Sequence, residues 1–337
     1  MNLHTLRLRA AFAFALALAL PASAASLIVD TAYVEKAIAA GALLWDARDE
    51  GDYAAGHIPG AVNIGNAGSV FRDLNREDPP PAPVASRIFG DAGMDILGRE
   101  VIVYTRKGDS YAYYAARMVE YYGGQHAKVY HGGLDDWKSA GKAIDQSAVK
   151  LPPVKLALAA EMRGAMGNPE LIERVRSGKA QIIDTRTPKE FSGEDIRAVR
   201  GGHVPGALSI PYEQNWQDPQ AASKLASRQV SSREGMALKS KEDLKKLYAK
   251  LDPEKETVVY CQSGVRASET AAVLRDLGFK DVKVHEPSWL GYAGVLSAPA
   301  ENEVFVNVGA LNSMVSPLAG RVRDLEAELA KLQAARR

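Results

Sequence analysis

One six-residue pattern, Gly-His-x-Pro-Gly-Ala, occurs twice in the chain, as Gly56-His57-Ile58-Pro59-Gly60-Ala61 and as Gly202-His203-Val204-Pro205-Gly206-Ala207. Each copy follows a short apolar run that ends in Asp-x-Arg: Leu43-Leu44-Trp45-Asp46-Ala47-Arg48 in the first case, Gln181-Ile182-Ile183-Asp184-Thr185-Arg186 in the second. Tyr53 and Phe191 fall at the same distance from their Asp-x-Arg. An apolar stretch follows each string, Val62 to Ile64 and Leu208 to Ile210, and Val101–Tyr104 later matches Thr257–Tyr260. The chain is therefore two copies of one unit. Between the short β-prone runs lie segments with helical character: Val34 to Ala40, Ser110 to Tyr122, Pro169 to Ser177, Lys241 to Leu251 and Ala267 to Leu277. Alternating strands and helices predict an α/β fold. Each unit is a parallel sheet covered by helices on both faces.

At 337 residues the chain is long enough for two such domains. The pattern divides it into a leader at 1–24, a first domain at 25–145, a linker at 146–168, a second domain at 169–300 and an amphipathic helical tail at 301–337. The leader carries Arg7 and Arg9, then the uncharged run Ala10 to Leu20, then Ala22-Ser23-Ala24. That is the layout of a secretory signal peptide, and the run is too short to span a bilayer. The expected mature protein is periplasmic or secreted and no longer attached to a membrane. A formal net charge of +1 argues against general nucleic-acid binding. One cysteine excludes an internal disulfide and a multi-cysteine zinc site, and the six histidines show no ligand spacing, so no metal is expected.

That single cysteine, Cys261, follows the run Thr257 to Tyr260 and precedes the segment expected to be helical from Ala267. A strand, a glycine-containing loop and a helix start meet at one thiol. Successive backbone amides in such a loop form an anion nest, and a helix N-terminus adds positive potential. Both favour the thiolate, the reactive form of the side chain. The amides from Gln262 through Ser263, Gly264, Val265 and Arg266 to Ala267 are the expected donors to the sulfur and to an anionic substrate. Gly264 allows a positive φ where the loop curls. Arg266 has two readings: a guanidinium for the oxygens of an anionic donor, or a structural partner of Asp184 or Glu190. Asp184 and Arg186 read as an internal ion pair, His57 and His203 as backbone-bonded turn residues, and Ser268 as a helix cap.

The loop and the two Gly-His-x-Pro-Gly-Ala repeats resemble the tandem-domain rhodanese family, the thiosulfate and 3-mercaptopyruvate sulfurtransferases, over roughly residues 27 to 295. The resemblance implies an enzyme in which Cys261 takes a sulfane sulfur from a small donor. The sulfur is carried as a persulfide, with no further cofactor, to a thiophilic acceptor such as cyanide or a thiol. A non-turnover sulfane-sulfur carrier is the alternative outside enzymology. Mercaptopyruvate enzymes resemble Cys-Gly-Ser/Ala-Gly-Val-Thr in this loop. The present chain shares Gly264 and Val265 but has Gln262 and Arg266, which favours thiosulfate. Four residues separate Cys261 from Arg266, one fewer than in the loops of tyrosine phosphatases, so the cradle suits a sulfur atom better than a phosphoryl group. Trp289 lies where the family often closes its cleft with an aromatic, although a core role is equally open. In the first domain Thr105 stands in the place of Cys261, and a hydroxyl cannot carry a persulfide. That domain is expected to be silent, with Arg106 and Lys107 as solvated loop charges.

In the tail, Leu311, Val315, Leu318, Val322, Leu325, Leu329 and Leu332 recur at alternating spacings of four and three. Such a stripe suits a coiled coil over residues 318–335 that dimerises or docks a partner, or a helix lying back on its own domain. Pro317 and Gly320 predict a helix that begins only near Arg321. The proline-rich stretch Asp78 to Pro83 reads as a loop.

Overall fold

The computed structural model describes residues 26–73 and 78–335; the leader at 1–24 lies outside them. In the first half the strands are β1 (Ile28–Val29), β2 (Leu43–Asp46), β3 (Val62–Asn63), β4 (Val101–Tyr104) and β5 (Ala127–Tyr130). They form one parallel sheet in the order β1-β5-β4-β2-β3. The second half supplies β6 (Ala165–Met166), β7 (Gln181–Asp184), β8 (Arg200–His203), β9 (Leu208–Ser209), β10 (Thr257–Tyr260), β11 (Val282–His285) and β12 (Glu301–Phe305). Its parallel sheet has the order β6-β11-β10-β7-β9, the same topology as the first. The central strands β4 and β10 are buried along their whole length. This is why Val-Ile-Val-Tyr and Thr-Val-Val-Tyr read as continuous rather than alternating apolar runs.

The repeated motifs prove to be scaffolding. Asp184 and Arg186 form an ion pair of 2.6 Å, and Arg186 also donates to the Gly202 carbonyl at 2.7 Å. Asp46 and Arg48 repeat this at 2.6 Å, with Gly56 O at 2.8 Å. Each guanidinium thereby fastens the glycine-rich turn to the strand before it. His57 stacks on Tyr53 and His203 on Phe191, each ring also bonding the carbonyl of the residue it stacks on. The matched spacing of Tyr53 and Phe191 reflects that stack.

The helices expected from the sequence occur as Thr31–Ala39, Tyr111–Tyr121, Asn168–Ser177, Lys241–Leu247 and Val265–Asp276. Three readings need correction. The stretch from Asp78 is a loop only as far as Pro81, which caps the helix Ala82–Asp91 with Pro83 in its first turn, where a missing N–H costs nothing. Residues 301–305, read as part of a helical tail, are strand β12, paired antiparallel with β8. The burial of Arg200 accounts for this pairing, since its guanidinium draws in Glu303 of β12. Finally, the tail helix runs unbroken from Val308 to Ala335, with Pro317 inside it. The helix continues through Pro317 although the missing N–H leaves the Ser313 carbonyl without its helical donor and the ring crowds that same carbonyl.

The halves are extensively joined. Helix Tyr111–Tyr121 of the first packs along helix Val265–Asp276 of the second, whose Val265 and Ala272 enter the first half's core. Asp276 receives the amides of Leu27 and Ile28. The connecting chain is no free tether either: Val149, Leu151, Leu156 and Leu158 pack on the first core, and Val154 N–H donates to Gly90 O at 2.9 Å.

Candidate active site

Cys261 leaves the carboxyl end of β10, in the interior of the second sheet, where ligand-binding loops of parallel sheets gather. The loop is shorter than expected. Only Gln262, Ser263 and Gly264 separate Cys261 from a helix that begins at Val265, two residues ahead of the expected start.

All four loop carbonyls are held by donors from other segments or by the helix itself. Trp289 N–H donates to Cys261 O and Leu290 N–H to Gln262 O, both at 2.9 Å. Arg72 of the first half donates to Ser263 O at 2.7 Å, and Ser268 Oγ to Gly264 O at 2.8 Å. With the carbonyls drawn outward, the amides turn in. Gly264 N–H lies 3.1 Å and Ser263 N–H 3.5 Å from Cys261 Sγ. Gly264 has φ +88°, the left-handed conformation that this inversion requires. The first turn of Val265–Asp276, at Val265, Arg266 and Ala267, adds N–H groups that have no acceptor within the helix. The sulfur therefore sits at a point of concentrated positive potential.

A second support was not legible in the sequence. Ser288 starts the short helix Ser288–Gly294 with φ +47°, an uncommon conformation for a residue with a side chain. Its hydroxyl accepts from Cys261 N–H at 3.3 Å and donates to His285 O at 2.9 Å. Trp289, next in sequence, is a core residue and closes no cleft. It is 1% exposed, its indole donates to Arg200 O, and the Arg186 guanidinium lies over its ring.

Arg266 resolves to its structural reading, with Glu190 rather than Asp184 as partner. Its two terminal nitrogens each lie 2.8 Å from a Glu190 oxygen. Burial alone would raise the Glu190 pKa, but the hydrogen bonds and charge of Arg266 overcome it and hold the carboxyl at about 2. Burial works against the charge on Arg266. Glu190 and the neighbouring Cys261 sulfur outweigh that effect and raise its pKa.

A cleft of about 600 Å³ opens over the loop, lined by Gln262, Ser263, Val265 and Arg266. Ala267 does not reach it, being buried beside Val259 and Cys261 in the core. Cys261 itself is 1% exposed and lies behind Gln262 and Ser263 in sequence rather than on the cleft wall. The opposite wall comes from the first half, at Gly108, Asp109, Ser110 and Tyr111. Two further arginines line the cleft, Arg197 and Arg233. Arg197 is half-exposed and touches Glu190 at 3.2 Å, and Arg233 donates to Lys107 O at 3.0 Å. Spacing could have flagged Arg197: the second Asp-x-Arg lies 19 positions before its histidine against 11 in the first, and Arg197 sits in the extra length. Gln262 donates to Arg197 O at 2.7 Å, which leaves its side-chain oxygen buried without a donor.

Beneath the cleft the two halves share buried charge. Arg117 of the first half binds Glu286 through both terminal nitrogens and donates to Ser268 Oγ at 3.0 Å. Ser268 is thus a link between the halves and not the expected cap, because the helix begins three residues before it. Glu269 is fully buried and receives Ser110 Oγ at 3.0 Å and Trp216 Nε1 at 2.8 Å. Burial raises its pKa to about 8.

The corresponding loop of the first half is built differently. Thr105 is followed by five residues before the helix at Tyr111, so the loop is two residues longer than its counterpart. Thr105 Oγ1 is turned to the carbonyls of Arg106 and Asp109. Lys107, read as a solvated charge, is instead buried and paired with Asp136 and Glu234, because the second half covers it. Arg106 is exposed and pairs with Asp52.

Comparison with known proteins agrees with this duplicated architecture. The family model described as a rhodanese-like domain matches residues 30–140 and again 168–294. The thiosulfate sulfurtransferase of Corynebacterium glutamicum is 30% identical over 276 residues, covering 74% of this chain and 81% of its own. A Mycolicibacterium smegmatis protein, whose name assigns the same activity provisionally, is 31% identical over 266 residues, or 75% of this chain and 89% of its own. Among solved structures, an anaerobic ergothioneine biosynthesis enzyme from Chlorobium limicola superposes with a TM-score of 0.69 at 18% identity, covering 82% of this chain and 70% of that one. That likeness speaks for the fold alone.

Proposed function

The chain belongs to the rhodanese-like family as a tandem-domain member, and from that premise we propose that it moves sulfane sulfur from thiosulfate to a thiophilic acceptor through a persulfide on Cys261. Sulfurtransferase activity is the coarse part of this reading, supported by relatives of that name that align over about three quarters of the chain. The single observation that carries the finer part is the turned-in amide pair on the Cys261 sulfur.

The thiolate attacks the outer sulfur of thiosulfate. A bond forms between Sγ and that sulfur, the bond to the sulfonate sulfur breaks, and its electron pair leaves with sulfite. The enzyme then holds Cys–S–S⁻. Cyanide or a thiolate next attacks the terminal sulfur, and the electron pair of the breaking S–S bond returns to Cys261. One transfer becomes two displacement steps, a form of covalent catalysis. The terminal persulfide anion needs donors and no acid, and amides fixed in place supply them without reorganisation. The donor's sulfonate oxygens are assigned to Arg233 and to Arg197, which is half-exposed and meets Glu190 through one nitrogen at 3.2 Å, whereas Arg266 is held by Glu190 through both. Arg266 keeps its charge beside the sulfur without leaving Glu190. Thiosulfate, carrying two charges and no carbon, suits such a cleft better than mercaptopyruvate does. Catalysis in a periplasmic or secreted setting remains part of the proposal.

The test is thiocyanate formation from thiosulfate and cyanide, with Cys261→Ser in parallel. Turnover by the native chain and none by the variant is the expected result. Turnover only with mercaptopyruvate would reassign the donor, and none with either donor would favour a carrier.

A further inference from the structure

The tail helix presents an apolar stripe that nothing in the described chain covers. Leu311, Val315, Leu318, Val322, Leu325, Leu329 and Leu332 are each between 45% and 62% exposed. The helix therefore does not lie back on its own domain. Its pattern identifies what would cover it. Written as heptads, Val308, Val315, Val322 and Leu329 fall at a, and Leu311, Leu318, Leu325 and Leu332 at d. Three of the four a positions are valine, and β-branched residues at a with leucine at d favour two parallel strands over higher assemblies. Pro317 falls at c and Gly320 at f, both directed away from the seam. The two residues least suited to a helix are thus where a partner helix would not meet them.

Charge gives the orientation. Arg321 occupies g and Glu326 the following e position. In a parallel pair these face each other across the seam, twice by symmetry. Full-overlap antiparallel pairing would set Arg321 against the Arg321 of the other copy. From residue type and charge together we propose that Val308–Ala335 forms a parallel two-stranded coiled coil with a second copy of this chain, joining two catalytic units at one stalk. Val308–Ala335 supplies four heptads, and packing along their seam provides the stability that an isolated helix in water lacks.

The experiment measures the mass of the full chain by sedimentation across a concentration series. A dimer is expected for the native protein and a monomer for Leu325→Glu, which places a charge at a central d position. Arg321→Glu should weaken the dimer at least several-fold, and Glu326→Arg added to it should restore most of the affinity. Thiosulfate turnover per chain, unchanged in these variants, shows that each is folded. For direction, Leu332→Cys in a Cys261→Ser background should oxidise to a covalent dimer, because parallel pairing sets the two 332 positions side by side. A native chain that stays monomeric, or a dimer indifferent to Leu325→Glu, overturns the proposal. A dimer that fails to cross-link through position 332 overturns the parallel arrangement.

Discussion

Arg266 and Glu190 lie 76 residues apart in sequence and meet through two hydrogen bonds of 2.8 Å, directly beside the cysteine loop. Glu190 is buried and also accepts the Thr187 N–H at 3.0 Å, with Arg197 touching it from the solvent side. The pair fixes a cation next to Cys261 while keeping it from leaving with a substrate. Removing one partner strands the other in a buried position. We expect Arg266→Ala to lower stability by about 3 kcal/mol, and Arg266→Ala with Glu190→Ala to cost less than the sum of the two single changes. Urea unfolding of the four proteins measures this.

The same pair sets an acid limit. The Glu190 pKa is about 2 in the folded chain, below the ordinary 4.5. A carboxylate with a depressed folded value stabilises the fold fully above its ordinary pKa, and that contribution fades as pH falls from about 4.5 toward 2. Glu190→Gln should flatten this part of the stability profile, which thermal melts at successive pH values would reveal. An unaltered profile would contradict the assignment.

Glu269 acts in the opposite sense. Its folded pKa of about 8 lies above the ordinary 4.5, so the fold binds its proton more tightly than the unfolded chain does. Stability from this group is full below about 4.5 and is lost as pH rises through 8. Glu269→Gln mimics the neutral form. Its melting temperature should stay close to native at pH 5 and exceed it by several degrees at pH 9, reflecting a difference of a few kcal/mol.

Gly264 bears directly on the chemistry. A Cβ there would meet the Glu286 carbonyl at 3.4 Å, and the φ of +88° is strained for any side chain. Gly264→Ala is expected to destabilise by about 1 kcal/mol. It should also reduce kcat more than tenfold, because the amide 3.1 Å from the sulfur must move. A stable variant with native kcat would remove the amide nest from the account.

The first half should stay silent even with sulfur supplied. Thr105→Cys in a Cys261→Ser background is expected to give no thiocyanate, since that loop is two residues longer and its position 105 side chain faces carbonyls rather than amides. Measurable turnover would show that neither loop length nor the orientation of position 105 keeps this half silent.

Much of this architecture is legible in the sequence because it is local. Asp-x-Arg, the glycine-rich turn and the aromatic seven positions after each aspartate all lie within about 25 residues of one another. The strand-to-helix setting of Cys261 is read in the same way. The missing parts are contacts across long separations. Arg72 reaching Ser263, Arg117 joining Ser268 to Glu286, and Lys107 covered by the second half all depend on how the two copies dock. No periodicity encodes such docking. The strand β12 was hidden for a related reason, because its partner β8 lies a hundred residues away and its own residues are exposed. The unbroken run through Pro317 has no signal in the sequence, since a proline lacks the N–H and crowds the carbonyl four residues back whether the helix is packed or in solvent.

The most direct test of the central claim is the mass of the intact protein after exposure to thiosulfate alone, with released sulfite measured in the same sample. The account predicts a species heavier by one sulfur atom, one sulfite per added sulfur, return to the original mass on adding cyanide, and no change in Cys261→Ser. Thiocyanate production with no sulfur-loaded species at any time, or loading that persists in Cys261→Ser, would contradict it.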